Sequence, residues 1–354
     1  MTAAADQSEA LVAADATVLS LRKSLCDETT PLPIRFRALF SLKHLAKQAT
    51  EGTGDRGIDL PAAKAAIDAI AAGFTSPSAL LKHELAYCLG QTGNAAAAAP
   101  PLRDVLADVN EDAMCRHEAA EALGALGNAA DLELLRQYRD REGEEVVVRE
   151  TCEIAIDRIE WANSTQRAQE HLRPSDFASV DPAPPMAQNA ADQEAAAQTV
   201  EVLEKDLMDI TLPLFRRYRS MFTLRDLASP PDLPTAVPAV QALAKGFADT
   251  SALFRHEIAF VFGQLSHPAS IPALTAALSN VNEASMVRHE AAEALGSLGD
   301  EEGVEDTLKL FLHDKEKVVR ESVIVALDMA EFEQGGEAEY ALIPEAAPAA
   351  ATAA

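Results

Sequence analysis

The sequence predicts an all-α fold, an α-solenoid of eight two-helix repeats arranged as two halves of four. One motif appears in four variants, each with a basic residue and then His-Glu ahead of an apolar run that ends in glycine. The two copies in each half lie 34 and 33 residues apart, and a period in the thirties without strand signals is typical of stacked helical repeats. The composition is 48% hydrophobic but only 5% aromatic, which suits closely packed helices.

The four motif copies also reveal a duplication of the whole pattern. The copies begin at Lys82, Arg116, Arg255 and Arg288, and their apolar runs end at Gly90, Gly124, Gly263 and Gly296. The first pair of copies maps onto the second pair by shifts of 173 and 172 residues. The chain is therefore predicted to contain a repeat inside a duplication.

The first half is predicted to span residues 1–163. Residues 8–26 form its first helix, and a Pro-Leu-Pro segment breaks the chain before the second helix. Pro61 opens the first helix of the second repeat, because proline is favoured in the first turn. Pro100 and Pro101 are expected to open the third repeat in the same way.

The outer repeats lack the His-Glu motif. In the fourth repeat Glu150 stands where the alignment places His117, so this repeat keeps the fold but loses the motif. Residues 164–192, rich in Pro, Asp, Ala and Gln, are predicted to be a linker that cannot bury enough surface to order itself. Residues 193–332 repeat the first half, and residues 333–354 are predicted to be a disordered Ala/Pro-rich tail.

Charge and cysteine content limit the classes of partner and compartment. The net charge of −26 offers no binding surface for nucleic acid or anionic lipid and favours a basic partner. The first residues do not resemble a signal peptide, and no run of 18 or more apolar residues occurs, so no membrane span is expected. Four cysteines without CxxC spacing suit reduced thiols, and we expect a cytoplasmic protein.

The repeated His-Glu pairs are candidate metal ligands. They are His83, Glu84, His117, Glu118, His256, Glu257, His289 and Glu290. Imidazoles and carboxylates without a thiolate suit iron, manganese or zinc. Neighbouring helices pack about 8–10 Å apart, so the two histidines of each half can converge on one ion. If the halves face each other, two metal ions come together between them.

The two residues of each pair cannot have the same role. Consecutive helix residues lie about 100° apart, so His and Glu point in different directions. One Glu in each half can complete a set of two histidines and one carboxylate, while the other is left for substrate. The spacing alone does not say which Glu does which. The simplest alternative is a polar pair that packs between repeats and was copied by duplication, but confinement to the inner repeats favours a metal site.

The four His-Glu motifs in the inner repeats of two four-repeat halves, with a variable linker between them, resemble the deoxyhypusine hydroxylase family of HEAT-repeat di-iron monooxygenases. The resemblance covers roughly residues 8–332. It implies eight HEAT-like repeats and O2-dependent hydroxylation of the deoxyhypusine side chain on eukaryotic translation factor 5A. It also implies two Fe(2+) ions per chain, O2 as co-substrate and an external electron donor.

The resemblance also implies a role for each candidate residue. By the family pattern one iron is held by His83, His117 and Glu118, and the other by His256, His289 and Glu290. The catalytic, substrate-side carboxylates are then Glu84 and Glu257, which pair with the amines of the deoxyhypusine arm. Two other functions were weighed, a metal-free scaffold that binds a protein on its concave face and a chromophore lyase of the phycobilisome type. Neither needs His-Glu pairs confined to the inner repeats.

Overall fold

A computed structural model describes residues 16–52, 58–172, 175–187 and 200–335. Every regular element within these ranges is helical, which confirms the predicted all-α solenoid. None of the helices in these ranges is long and apolar enough to cross a membrane. The start of the predicted first helix, part of the predicted linker and most of the predicted tail lie outside the described residues.

The helices follow the predicted repeats. The first half contains α1 (16–26), α2 (Leu32–Glu51), α3 (Leu60–Ala71), α4 (Ala79–Gly90), α5 (Ala95–Ala107), α6 (Ala113–Leu126), α7 (Leu132–Arg139) and α8 (Val146–Ala162), followed by the short α9 (Thr165–Gln169). The second half contains α10 (Val200–Met208), α11 (Leu214–Leu227), α12 (Ala236–Ala244), α13 (Ala252–Leu265), α14 (Ile271–Ser279), α15 (Ser285–Gly296), α16 (Val304–Lys309) and α17 (Lys317–Gly335). Because α17 ends at Gly335, the predicted tail begins inside a helix.

The third repeat begins earlier than the prolines predict. The side chain of Asn94 accepts a hydrogen bond from the backbone N–H of Ala97 at 3.2 Å and caps α5, as asparagine commonly does at this position. Pro100 and Pro101 therefore lie inside α5. The prediction that they open the helix was wrong, because the cap fixes the start of the helix several residues before them.

A buried arginine ties the two helices of most repeats together. In the third repeat Arg116 donates from Nε to the carbonyl oxygen of Leu106 at 3.1 Å, and its guanidinium pairs with Glu144. The same bond, to a carbonyl ten residues earlier, is made by Arg35, Arg149, Arg217 and Arg288. The basic residues before His117 and His289 are therefore structural.

Glycine lets the inner helices approach closely. A Cβ added at Gly90, where α4 ends, would lie 2.8 Å from the Cα of Ala122 on α6. A Cβ at Gly296 on α15 would lie equally close, 2.8 Å, to the Cα of Ala326 on α17. The terminal glycine of the motif is thus needed because the next inner helix leaves no room for a side chain.

The solenoid closes into a ring. Each inner helix contacts the next in the order α2, α4, α6, α8, α11, α13, α15, α17, and α17 contacts α2. Ser78, which caps α4, donates a hydrogen bond to Glu321 of α17 at 2.9 Å. In the pseudo-equivalent contact Ser251, which caps α13, donates to Glu150 of α8 at 2.6 Å. The glutamates that replace histidine in the fourth repeats therefore connect the halves.

Part of the predicted linker is packed against the ring. In residues 175–187, here called the strap, Pro182, Ala183 and Pro184 are buried. The strap exchanges two hydrogen bonds between Val180 and the Gln91 amide. For these residues the prediction that the linker does not order was wrong, because helices of both halves pair its polar groups. The domain boundaries remain a prediction.

Candidate metal centre

The four histidines of the repeated motif meet at the centre of the ring. The centroid of the His83 ring lies 5.4 Å from that of His117, 5.7 Å from that of His256 and 5.1 Å from that of His289. The His117 and His256 rings are 5.4 Å apart, and the His256 and His289 rings are 5.3 Å apart. The expectation that the halves face each other is therefore confirmed for these side chains.

The ring nitrogens of these histidines are almost entirely unpaired inside the protein. His117 and His289 are 0% exposed, and His83 and His256 are 3% and 4% exposed. Both ring nitrogens of His117, His256 and His289, and Nε2 of His83, have no hydrogen-bond partner among the described residues. An unpaired buried polar atom costs about 1–3 kcal/mol. Metal ions bound by these nitrogens would remove that cost, so the donor set fits the predicted metal.

Three groups of side chains bring ligand atoms within 4.8 Å of one another. They are His83 with His117 and Glu118, His83 with His256 and His289, and His289 with Glu290 and Glu293. The first is the ligand set predicted for one iron. The second group joins the two halves, as expected for metal ions that lie between them.

The second predicted set, His256, His289 and Glu290, is brought together pair by pair. Nε2 of His256 lies 3.4 Å from a carboxylate oxygen of Glu290, and His289 belongs to a close group with each of them. The pseudo-equivalent contact in the first half joins His83 Nε2 and Glu118 at 3.3 Å. The contact between the first histidine and the second glutamate of each half is thus the same.

Two carboxylates that the sequence analysis did not select also belong to the site. Glu121 and Glu293 follow His117 and His289 by four residues, so they lie on the same helix face. A carboxylate oxygen of Glu293 lies 3.7 Å from Nδ1 of His289 and accepts a hydrogen bond from Ser322 at 3.0 Å. The signal was present in the sequence as His-Glu-Ala-Ala-Glu, which occurs in both of these copies.

Burial and neighbouring charges set the protonation of the histidines. Burial lowers the pKa of His117 and His289 well below its usual value, and the other histidines of the site lower it further. Burial also acts to lower the pKa of His83, but the carboxylates of Glu118 and Glu84 outweigh it and raise that pKa well above its usual value. His117 and His289 thus favour the neutral form that binds metal.

The carboxyl groups around the histidines need a cation. Burial and the surrounding carboxylates raise the pKa of Glu121, Glu257 and Glu293 well above its usual value. One carboxylate oxygen of Glu257 is buried without a hydrogen-bond partner. A buried acidic cluster of this kind is stabilised by positive charge, from a metal ion or from an ammonium group.

A cavity of about 200 Å³ reaches this centre. Its walls include the carboxyl-bearing residues Glu84, Glu118, Glu121, Glu257, Glu290 and Glu293. The aromatic side chains of Phe40, Tyr87 and Phe260 form an apolar part of the same wall, with the Tyr87 and Phe260 ring centroids 5.9 Å apart. The cavity therefore joins an apolar passage to an acidic floor.

The fold and this centre define the class of protein: a closed helical-repeat protein with a buried His/Glu cluster that can bind metal. The HEAT repeats family model matches residues 67–156 and 237–328. The chain is 75% identical to a deoxyhypusine hydroxylase of Neurospora crassa over 94% of this chain and 98% of the relative, and 70% identical to one of Gibberella zeae over 99% and 100%. The chain belongs to the deoxyhypusine hydroxylase family.

A solved structure extends the likeness to three dimensions. The structure of human deoxyhypusine hydroxylase in complex with glycerol is 42% identical and has a TM-score of 0.76, with 92% of this chain and 99% of that chain covered. Membership of this family favours the enzyme over the two other functions weighed from the sequence, the metal-free scaffold and the chromophore lyase.

Proposed function

We propose that this chain hydroxylates the deoxyhypusine side chain of translation factor 5A, yielding hypusine, at a centre that holds two Fe(2+) ions. The observation that carries the proposal is the meeting of four buried histidines, with unpaired ring nitrogens, between the two halves. The cytoplasm is part of the proposal, since Cys88, Cys115 and Cys152 are buried free thiols of the kind retained in reducing compartments.

The proposed ligands follow the two halves of the ring. One iron is assigned to His83, His117 and Glu118, and the other to His256, His289 and Glu290. The short contact from His83 Nε2 to Glu118, 3.3 Å, and from His256 Nε2 to Glu290, 3.4 Å, support this division. Bound iron would supply the activation of O2, while this chain supplies the shape and charge that hold the substrate.

The substrate arm fits the charge of the cavity. It carries two amines that are positively charged when protonated, separated by methylene groups, and we assign their binding to the carboxylates of Glu84 and Glu257. Glu84 lies within hydrogen-bond distance of His83 Nδ1 at 3.3 Å, whereas one oxygen of Glu257 has no partner. An ammonium group bound there would favour the ionised carboxylate, because opposite charge lowers a raised carboxyl pKa.

The reaction needs both a reductant and oxygen. One C–H bond of the arm becomes C–OH with one atom of O2. The other atom leaves as water, formed with two electrons and two protons from an external donor. The apolar wall of Phe40, Tyr87 and Phe260 would hold the methylene groups and exclude water from the reacting carbon.

The proposal is tested by metal analysis together with mass spectrometry of the substrate. The purified protein should contain about two irons per chain and, with O2 and a reductant, should add one oxygen atom to deoxyhypusine-bearing factor 5A. His289→Ala should lose iron and activity, because it removes a ligand. His267→Ala is the matched control: His267 is also buried, but it caps a short helix away from the centre. Full iron content and activity in His289→Ala would contradict the assignment.

A further inference from the structure

The cavity breaks the internal symmetry of the ring. Residues on its rim include Phe40 and Lys43 of α2 and Met329 of α17. A duplicated ring should offer a second, equivalent opening on the opposite side of its axis. That second opening would be lined by the residues that correspond to these three in the other half.

The corresponding residues follow from the repeat alignment. Matching the buried arginines Arg35 and Arg217 gives a shift of 182 residues, and matching Arg149 with Arg320 gives a shift of 171. These shifts relate the three rim residues to Phe222, Arg225 and Arg158 respectively.

The strap covers these equivalent positions. Arg225 donates to a carboxylate oxygen of Asp181 at 2.7 Å, and Arg158 donates to the backbone oxygen of the same residue at 3.1 Å. The guanidinium of Arg225 also lies over the rings of Phe177, at 4.3 Å, and of Phe222, at 4.9 Å. Arg225 is 0% exposed as a result.

The uncovered rim has a different character. Lys43 is only partly buried, and its ammonium lies 4.6 Å from the Phe40 ring and 5.7 Å from the Tyr87 ring. These rings therefore already hold a primary ammonium group over their faces, an interaction that is strengthened where water is excluded. A passage of this kind suits the cationic arm of a deoxyhypusine side chain.

We propose that the strap closes one of two equivalent openings of the duplicated ring, so that the substrate arm enters only beside Phe40, Lys43 and Met329. Asp181 is the positioning residue of the strap, because it joins Arg158 of the first half to Arg225 of the second. This inference rests on the proposed function. It adds the direction from which substrate reaches a centre whose ligands are arranged with near twofold symmetry.

The test places one small chemical group at each opening. Lys43→Cys and Ala178→Cys are labelled with phenylmaleimide, and the hydroxylation of deoxyhypusine-bearing factor 5A is compared before and after labelling. Ala178 is an exposed residue of the strap, so it is the matched position on the closed side. Wild-type protein treated with the reagent controls for its own cysteines, and iron content controls for damage to the centre.

Labelling Lys43→Cys should lower kcat/KM by at least about tenfold with iron unchanged, and labelling Ala178→Cys should change it by less than about twofold. A loss at Ala178→Cys that matches or exceeds the loss at Lys43→Cys would overturn the single entrance, and so would no loss at either position. An unlabelled wild type that binds iron but does not hydroxylate the factor would instead contradict the proposed function.

Discussion

The residue four positions after each histidine distinguishes the two kinds of motif copy. In the first copy of each half this residue is aromatic, Tyr87 or Phe260, and in the second copy it is Glu121 or Glu293. Because positions i and i+4 share a helix face, the aromatic pair lines the apolar passage and the glutamates lie beside the histidines. One motif thus provides both the wall and the charge of the site.

At Glu257 the unpaired carboxylate oxygen leads to a prediction about substrate binding. Glu257→Gln keeps the shape of the side chain but removes the charge that would pair with an amine. We expect KM for deoxyhypusine-bearing factor 5A to rise by about tenfold or more, since a hydrogen bond to a charged group contributes about 1.5–3 kcal/mol. Steady-state kinetics with parallel iron analysis measures this. An unchanged KM with two irons bound would show that the residue has another role.

Glu293 allows a second residue-level prediction, on metal affinity. Its carboxylate lies near Nδ1 of His289 and is held by Ser322, an arrangement that orients a histidine whose other nitrogen binds metal. Glu293→Gln should weaken iron binding by about 10–100-fold without abolishing it. Competition with a chelator gives the affinity, and Ser322→Ala should cause a smaller loss. Complete loss of one iron from Glu293→Gln would identify Glu293 as a direct ligand instead.

At the scale of the helices, the glycine that ends each motif sets the distance between neighbouring histidines. Gly90 of α4 packs on Ala122 of α6, and these helices carry His83 and His117. The pseudo-equivalent Gly263 of α13 has more room, because a Cβ added there would lie 3.4 Å from the nearest atom. The same substitution in the two halves should therefore have different effects.

Gly90→Ala should lower the free energy of unfolding by about 1–3 kcal/mol, because the new methyl group overlaps backbone atoms that cannot move away independently. Gly263→Ala should cost clearly less and serves as the matched control. Chemical denaturation of the two variants, each loaded with iron, compares them directly. Equal losses would mean that the helices move apart freely and that glycine is not required for their spacing.

Much of the fold and site could be predicted from the sequence, because repetition makes a weak motif specific. Four copies of one helix predicted the repeats, the duplication and the eight His-Glu residues together. The parts that were missed depend on contacts between distant segments. Glu150 and Glu321 were noted only for lacking histidine, yet they connect the halves. The strap was predicted from composition alone, which cannot show that helices of both halves pair its polar groups.

At the scale of the whole molecule, the metal centre depends on closure of the ring. One close group of candidate ligands, His83 with His256 and His289, takes side chains from both halves. The halves are joined where Ser78 donates to Glu321 and Ser251 donates to Glu150. Hydrogen bonds that involve a carboxylate are stronger than neutral ones. Removing these two contacts should therefore loosen the centre without touching a ligand.

The double variant Glu150→Ala/Glu321→Ala tests this dependence. We expect the free energy of unfolding to fall by about 3 kcal/mol in total, from two charged hydrogen bonds of about 1.5 kcal/mol each, and iron to leave faster in the presence of a chelator. Glu160→Ala/Glu302→Ala removes the same charge from exposed positions and should change stability by less than about 1 kcal/mol. Lower stability with an unchanged rate of iron loss would mean that each half holds its metal independently. Faster iron loss would show that closure of the ring itself retains the metal, and that the fourth repeats gave up histidine for this purpose.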